Sequence, residues 1–253
     1  MAGFTTPLLD FFKRGDVERD LRLLAAKGEL APRAHEQFGL LMLLTSDRDA
    51  EVASAAEATL NAIPVASVGH FLAGSDVSAE ARAFFAARGV EPVSDAVDAD
   101  ATLLPDAAEG PPEGEKEDES TTLQRIAAMT VAQRVVAAMK GTREERAILI
   151  RDPNKMVTVA VLSSPKITET EVESIARMTS VSEEALRIIG RTRAWMKNYA
   201  VMAGLAKNPK TPVALSMNLL ARLTDKDLKM ISTDRNVPDV VRQTARRKMA
   251  AGG

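Results

Sequence analysis

The chain has 253 residues, of which 45% are apolar and only 4% aromatic, so it can form one sizeable core or two small domains. It contains no cysteine, which excludes disulfides and thiolate zinc sites, and no apolar run approaches the roughly 18 to 20 residues of a membrane span. The first residues lack the basic and apolar regions of a signal peptide, so we expect a cytoplasmic protein.

The charges divide the chain into an acidic half and a basic half. Residues 1–120 carry 10 Lys and Arg against 23 Asp and Glu, a net charge of −13. Residues 121–253 carry 23 against 12, a net charge of +11. Such a layout is typical of a basic surface that binds anionic groups, with an acidic segment that competes for it.

Apolar periodicity predicts six helices in the first 90 residues, with short connections between them. The predicted helices are Pro7–Arg14, Val17–Ala26, Pro32–Leu44, Ala50–Asn61, Ser67–Ala73 and Ala79–Arg88. Four glycines lie at the breaks, namely Gly15, Gly28, Gly74 and Gly89. We therefore predict an N-terminal helical module over residues 1–90.

Residues 91–120 form an acidic segment that contains proline. They hold eleven acidic residues, one Lys, four Pro and no aromatic residue. Such a composition cannot bury enough apolar area to offset the chain entropy, so we predict a disordered, extended linker. Leu103 and Leu104 form a small apolar island inside it. They are either ordinary linker residues or a short docking motif, for example for the basic half of the same chain.

A turn or helix-start cue recurs about every 28 residues in the basic half, and each cue precedes an apolar-periodic stretch. The cues are Asp152-Pro153-Asn154, Val181-Ser182-Glu183, Asn208-Pro209-Lys210 and Asn236-Val237-Pro238. The register is clearest at twice this period, where the first cue aligns with the third. A helical unit of this length cannot bury its apolar face alone, so we expect stacked helical-hairpin units, an α-solenoid.

Helix starts in the basic half are marked by residues that can cap the backbone. Three pairs have the spacing of a capping box or of its aspartate variant: Thr142 with Glu145, Thr168 with Glu171 and Thr224 with Asp227. Ser182 is the expected cap of the helix that follows it. No segment shows convincing strand alternation, so we predict an all-α fold.

Two segments, SDRDAEVASAAEATL and DPNKMVTVAVLSSP, resemble HEAT-like or armadillo-like repeats through a turn aspartate, a following valine and an alanine-rich second helix. The stretch from about residue 142 to 248 also resembles an uncharacterised bacterial family of such repeats. The matching strings are ILIRDPNKMV, AVLSSPKITETEVESIA, RAWMKNY, NPKTP and NVPDVVRQTARR. The resemblance implies HEAT-like units but no activity.

Because a charged segment of 30 residues is too long for a connection within repeats, we expect two modules, 1–90 and 121–253, joined by the linker 91–120.

One cluster combines cationic and aromatic residues, and it contains the only Trp and the only Tyr of the chain. The candidate partner-binding residues in it are Arg191, Arg193, Trp195, Lys197, Asn198 and Tyr199. The spacing of four positions predicts that the two aromatic residues share one helical face. Two interpretations stay open. The aromatic rings fill the gap between stacked units, or they form a recognition patch.

No catalytic or metal-binding constellation is found in the sequence. The two histidines, His35 and His70, have no second candidate ligand at helical spacing, and no phosphate loop, HExxH or GxSxG motif occurs. We therefore predict a protein without enzymatic activity, metal or cofactor.

The first function class is a protein-interaction scaffold, in which the basic solenoid holds an acidic peptide or domain of a partner. In this class the acidic linker would occupy the same face when no partner is present.

The alternative is nucleic-acid binding, because the charge of +11 and the string TARRKM provide an electrostatic footprint. Some HEAT-like solenoids are DNA glycosylases. These enzymes use several aromatic residues and a catalytic Asp, which makes this activity a remote alternative for a chain with one Trp and one Tyr.

Overall fold

The structure, a computed structural model, describes residues 6–30, 33–74, 77–93 and 119–251. Within these residues all regular secondary structure is helical and there is no strand, so the all-α prediction is confirmed there. None of the described helices is long and apolar enough to cross a membrane. Residues 94–118, which make up most of the predicted linker and include Leu103 and Leu104, lie outside the described residues.

All six helices predicted in the acidic half are present, with ends that differ by at most a few residues. They are α1 (Pro7–Lys13), α2 (Arg19–Ala26), α3 (Ala34–Leu44), α4 (Ala50–Ala62), α5 (Val65–Leu72) and α6 (Ala79–Ala86). Three of the predicted breaks, at Gly15, Gly28 and Gly89, have φ values of 81, 78 and 76°, in the left-handed region. Glycine adopts this conformation without the steric cost of a Cβ, so these residues end their helices.

The second half of the chain is described from residue 119 and contains ten α-helices and one 3₁₀ helix. The first five are α7 (Glu119–Ala128), α8 (Val131–Lys140), α9 (Arg143–Leu149), α10 (Lys155–Ser163) and α11 (Glu169–Arg177). Next come α12 (Glu183–Arg191), the 3₁₀ helix Trp195–Lys197, α13 (Tyr199–Lys207), α14 (Val213–Leu220), α15 (Asp225–Thr233) and α16 (Asp239–Ala251).

The chain divides into two compact units. The first comprises Met1–Arg146 and Val159–Lys166, and the second comprises Ala147–Thr158 and Ile167–Gly253. The division passes through α9 and α10.

The first unit has an aromatic core around α3. The ring centroid of Phe38 lies 4.5 Å from that of Phe71 and 5.3 Å from that of Phe85, and all three side chains are buried. Such tilted and edge-to-face pairs add to the stabilisation that burial provides. In the same unit, the buried Arg146 side chain donates from Nη1 to the carbonyl oxygen of Gly141 over 2.9 Å.

Three pairs of helices in the second unit pack on each other although the two helices are not consecutive in the chain. In this unit α11 packs on α13, α13 packs on α15 and α14 packs on α16, and sequential pairs such as α15 and α16 also contact each other. The odd helices begin at residues 169, 199 and 225, and the even helices begin at 183, 213 and 239. Both series therefore advance by 30 and then by 26 residues.

The predicted caps are formed. Thr168 and Glu171 make both bonds of a capping box at the start of α11, over 3.3 Å and 2.9 Å. The equivalent bonds between Thr142 and Glu145 at the start of α9 are 3.3 Å and 2.7 Å. The side chains of Ser182 and Thr224 accept from backbone nitrogens of α12 and α15. These helix starts are therefore fixed by local hydrogen bonds.

Two of the four cues begin with a residue that forms an Asx turn. Asp152 Oδ1 accepts from the nitrogen of Asn154 over 2.8 Å, and Asn208 Oδ1 accepts from that of Lys210 over 3.0 Å. These turns precede α10 and α14. Before α16 the residue that makes the turn is Asp234, whose Oδ1 accepts over 2.9 Å from the nitrogen of Asn236. The last predicted cue, Asn236-Val237-Pro238, lies at the end of this turn and directly before α16, which begins at Asp239.

Asn208 also joins its turn to another helix. Its side chain is buried, and Nδ2 donates to the carbonyl oxygens of Ala176 and Met178, both over 2.9 Å. These carbonyls lie at the end of α11, where they have no partner within the helix. The Asn208 amide therefore forms a turn through its oxygen, and through its nitrogen it caps the C-terminal end of a helix about thirty residues earlier.

We predict that Asn208→Ala lowers the free energy of unfolding by about 2 kcal/mol or more, because two carbonyl oxygens lose their donor in a buried place. Urea denaturation of the full chain measures this. The control is Asn218→Ala at an exposed position of α14, where a change of at most about 0.5 kcal/mol is expected. Asn208→Asp keeps the turn acceptor and removes both donors. If it is as stable as the unchanged chain, the bonds to α11 contribute nothing.

Candidate interaction surface

The cluster of Trp195 and Tyr199 is divided between two helical segments. Trp195 begins the 3₁₀ helix and Tyr199 begins α13, while Asn198 between them has extended backbone with φ −79° and ψ 118°. Asn198 Oδ1 accepts from the nitrogen of Ala200 over 2.9 Å and so caps α13. The prediction that both aromatic residues share one helical face is therefore wrong, because an N-cap residue with non-helical dihedrals separates them.

Asn198 connects α13 to α11. Its Nδ2 donates to Glu173 Oε1 over 2.9 Å and to Glu169 Oε2 over 3.3 Å, and both acceptors lie on α11. The same amide thus caps its own helix through oxygen and holds the preceding odd helix through nitrogen. Both hydrogen-bonding ends of this candidate binding residue are already used.

Tyr199 connects α13 to α15. Its hydroxyl donates to Asp227 Oδ2 over 2.5 Å and accepts from the nitrogen of Thr224 over 3.0 Å. Thr224 is the N-cap residue of α15. Such contacts between helices agree with the interpretation in which the aromatic residues fill the gap between stacked units. Tyr199 nevertheless remains 39% exposed. Trp195 is half-buried.

The other predicted residues of the cluster are cations at the connection from α12 to α13. Arg191, Arg193 and Lys197 are exposed, and their side chains have no hydrogen bond or ion pair with the residues that the structure describes. The structure thus separates the predicted cluster into two groups. Asn198 and Tyr199 hold helices together, and the three cations are available to solvent.

A trough of about 470 Å³ runs along α13 in the second unit. Its floor is formed by the small residues Ala200, Ala203 and Gly204. Its rim is polar and comes from α11, α13, α15 and the loops after them: Arg177, Thr179, Tyr199, Lys207, Pro209, Asp227, Asp234 and Asn236. The trough exists because this face of α13 carries no large side chain.

The trough was not predicted from the sequence, although the spacing of its floor residues indicates it. Ala200, Ala203 and Gly204 follow helical spacing and therefore share one face of α13. A Cβ added to Gly204 would lie 3.3 Å from Ala176 Cβ, so the missing side chain allows α11 and α13 to approach closely. Small residues at this spacing indicate either close helix packing or a surface depression. Here Gly204 allows close packing on α11, and all three residues line the trough.

Asp227 lies at the rim and joins α13 to α15 electrostatically. Its Oδ1 accepts from Lys207 Nζ over 2.6 Å, and its side chain is 15% exposed. Hydrogen bonds from Lys207 and then from Tyr199 hold the pKa of the Asp227 carboxyl below its ordinary value of 3.8, because they favour the ionised form. The carboxylate is therefore charged at neutral pH and fixed in place by two neighbours on α13.

The acidic side chains of the second unit are almost all engaged. Among the ten in residues 147–158 and 167–251, nine accept a hydrogen bond or form an ion pair, and Asp225 is the exception. They serve as caps, as turn residues and as partners of cations. These residues nevertheless carry a net charge of +7, because seventeen cationic side chains face ten carboxylates.

The cationic side chains of the same residues are in excess. Ten of the seventeen have no hydrogen bond or ion pair in this part of the chain. These ten are Arg151, Lys155, Arg191, Arg193, Lys197, Lys210, Lys226, Lys229, Arg235 and Arg247. Lys210 follows Pro209, and Arg235 lies between Asp234 and Asn236, so both adjoin residues of the trough rim.

Neither histidine belongs to a cluster that suggests chemistry. His35 lies on α3 and is buried, and His70 lies near the end of α5. Across the described ranges, no group of three or more His, Cys, Asp or Glu residues could hold a metal ion.

The sequence and the structure were also compared with known proteins. No protein-family model matches the chain, and no curated protein and no solved structure matches it significantly. The geometry of the second unit therefore carries the functional argument.

We predict a pH-dependent cost for Asp227→Asn. The folded pKa of Asp227 lies below the unfolded value, so its bonds stabilise the protein fully above about pH 4 and lose this effect as the pH falls through the lowered pKa. Urea denaturation should show that the substitution lowers the free energy of unfolding by about 1–2 kcal/mol at pH 7, and by less below about pH 4.

The matched control for this prediction is Asp225→Asn, two residues earlier on α15, where the exposed carboxylate has no partner among the described residues. It should change the stability little at any pH. A deficit of Asp227→Asn that is as large at about pH 2.5 as at pH 7 would contradict the assigned role of the ionised carboxylate.

Proposed function

We propose that the chain is a non-enzymatic interaction module of HEAT-like α-solenoid type, whose second unit binds an acidic segment of a protein partner. The regular advance of the helix starts, the packing of α11 on α13 and of α13 on α15, and the recurring Asx turns support the repeat architecture. Stacked repeats of this kind commonly present an extended binding surface.

The observation that carries the proposal is the imbalance between used carboxylates and free cations. Nine of ten acidic side chains in the described part of the second unit have partners, whereas ten of seventeen cationic side chains have none. Self-repulsion among unpaired cations disfavours the compact state, and an acidic partner relieves it. The same field raises the association rate of an acidic ligand.

The trough along α13 is the binding site in this proposal. Its floor of Ala200, Ala203 and Gly204 accepts apolar side chains, and Arg177 stands at the rim with a largely exposed side chain. Interfaces combine an apolar centre with a polar rim in this way. An acidic peptide with one or two apolar anchors fits this arrangement.

Two features favour a protein ligand over nucleic acid. The first is the floor of small apolar residues, which suits the apolar side chains of a peptide; the rim carboxylates of Asp227 and Asp234 repel every anion and do not discriminate between the two ligands. The second is the small amount of aromatic surface for base stacking, because the second half of the chain has only two aromatic residues, Trp195, which is half-buried, and Tyr199.

The test is fluorescence anisotropy with a labelled peptide of about twelve residues, rich in Asp and Glu, with two central leucines. The full chain is used with the acidic residues of 91–120 changed to amides, so that its own acidic segment cannot compete. We predict salt-sensitive binding that Ala203→Leu weakens at least about tenfold, because the added side chain fills the trough floor.

The matched control is Ala214→Leu, which adds the same side chain at an exposed position of α14 outside the trough. It should leave the affinity unchanged, and equal unfolding midpoints of both variants exclude misfolding as a cause. The proposal fails if the peptide does not bind. It also fails if single-stranded DNA binds more tightly than the peptide, with a steep salt dependence and no effect of Ala203→Leu, which would indicate nucleic-acid binding.

A further inference from the structure

The connection from α12 to α13 and the connection from α14 to α15 lie side by side in the second unit. Arg222 Nη2, in the second connection, donates to the carbonyl oxygen of Met196 in the first over 3.1 Å. The backbone nitrogen of Thr224 donates to the hydroxyl of Tyr199, the first residue of α13, over 3.0 Å. These two bonds hold the connections together, so they form one continuous surface.

This surface, which we call the cationic edge, comprises residues 191–198 and 221–226. It carries five cations and one carboxylate, and all six side chains are exposed. The cations are Arg191, Arg193, Lys197, Arg222 and Lys226, and the carboxylate is Asp225. Among the described residues, four of the cations have no hydrogen bond or ion pair, and Arg222 has only its bond to a neutral carbonyl oxygen.

The carboxylates of the adjoining helices are engaged with other groups. Glu169 and Glu173 of α11 accept from the amide of Asn198, and Asp227 of α15 forms an ion pair with Lys207. None of these three forms an ion pair with a cation of the edge. An anion that approaches from outside the unit therefore meets cations that no carboxylate of the described residues neutralises by contact.

Two cations of the edge lie where a positive charge lowers the stability of a helix. Lys197 directly precedes Asn198, the N-cap residue of α13, and Lys226 is the second residue of α15. The helix dipole is positive at these starts, so a cation there is unfavourable. Helix stability explains Arg191, in the last turn of α12, but it does not explain these two lysines.

The only Trp of the chain lies among these cations. Trp195 is half-buried next to the buried Met196, and its indole N–H makes no hydrogen bond with the described residues. It offers part of an apolar ring and one donor between Arg193 and Lys197. Trp and Arg are enriched among the residues that dominate binding energies in protein interfaces.

We propose that the cationic edge binds the acidic residues of the same partner segment whose apolar residues lie in the trough. The inference rests on the proposed function, because Tyr199 lines the trough and directly follows the edge in the chain. The cations that line the trough, Arg177 and Lys207, are already paired with Glu173 and Asp227. The edge therefore supplies the contacts for carboxylates, and the partner has its acidic residues to one side of its apolar anchors.

The fluorescence of Trp195 reports on the edge directly, because the chain has no other Trp. An acidic peptide with two leucines and no aromatic residue is added to the chain that carries amides in 91–120. Saturating peptide should lower the quenching of Trp195 by iodide at least about twofold, because it covers the ring and neutralises the charges that attract iodide. Unchanged quenching at saturation, as judged by anisotropy of the labelled peptide, would overturn the proposal.

Charge reversal tests which cations hold the peptide. Arg193→Glu/Lys197→Glu should weaken its binding at least about tenfold. The matched control is Arg151→Glu/Lys155→Glu, which changes the net charge equally at exposed residues without partners between α9 and α10. It should weaken binding at most about twofold, and equal unfolding midpoints exclude misfolding. Equal losses in both variants would refute a local site, because they would indicate only the overall field.

These measurements separate the inference from the proposed function. Binding that is weakened by Ala203→Leu but not by Arg193→Glu/Lys197→Glu would leave the proposed function standing and refute the cationic edge. A peptide that does not bind at all would refute the proposed function itself. Single-stranded DNA that binds more tightly than the peptide, and loses affinity in Arg193→Glu/Lys197→Glu, would assign the edge to nucleic acid and overturn the proposal.

Discussion

Side-chain hydrogen bonds hold α13 at both of its ends, and the arrangement of the second unit depends on them. At the start, Asn198 binds carboxylates of α11 and Tyr199 binds the first turn of α15. At the C-terminal end of α13, Asn208 donates hydrogen bonds to the last carbonyl oxygens of α11, and Lys207 forms an ion pair with Asp227. The buried side chains of α13, among them Val201 and Leu205, hold the helix in the core, and these polar contacts fix its two ends. The trough exists because α11 and α15 are held beside a face that does not fill the space between them.

The distribution of partners among charged residues follows from the helical architecture. Carboxylates are used at helix starts, where the backbone presents donors without partners, as with Glu171 in its capping box and Asp234 in its turn. Some cations serve the opposite ends, where Arg246 and Lys248 donate to carbonyl oxygens of preceding helices. Because the second unit has more cations than such places, the remaining cations face solvent. The positive electrostatic field of the second unit therefore arises from the cations that take no part in capping its helices.

Local rules made much of the fold predictable from the sequence. The helices of the acidic half, the capping boxes and the glycine breaks depend on residues within a few positions of each other, and they occur where periodicity and capping predict them. Before α16 both Asp234 and Asn236 are residue types that suit an Asx turn, and only the backbone geometry shows that Asp234 forms it. The shared face of Trp195 and Tyr199 was wrong because Asn198 competes with helix continuation by capping the next helix.

By itself, the sequence determined that this chain is helical over the described residues, where the six helices of the acidic half begin and end, where several helices of the basic half begin, and that the two halves carry opposite charge. These properties arise from residue type and short-range spacing. Only the tertiary structure decided that Tyr199 joins two helices, that Ala200, Ala203 and Gly204 form the floor of a trough, and which cations lack a partner. These features depend on contacts between residues about thirty positions apart, such as the Asn208 side chain with the carbonyl oxygen of Ala176 and the Tyr199 hydroxyl with Asp227. The way in which α13 packs between its neighbours fixes those contacts, and periodicity along a single helix does not encode it.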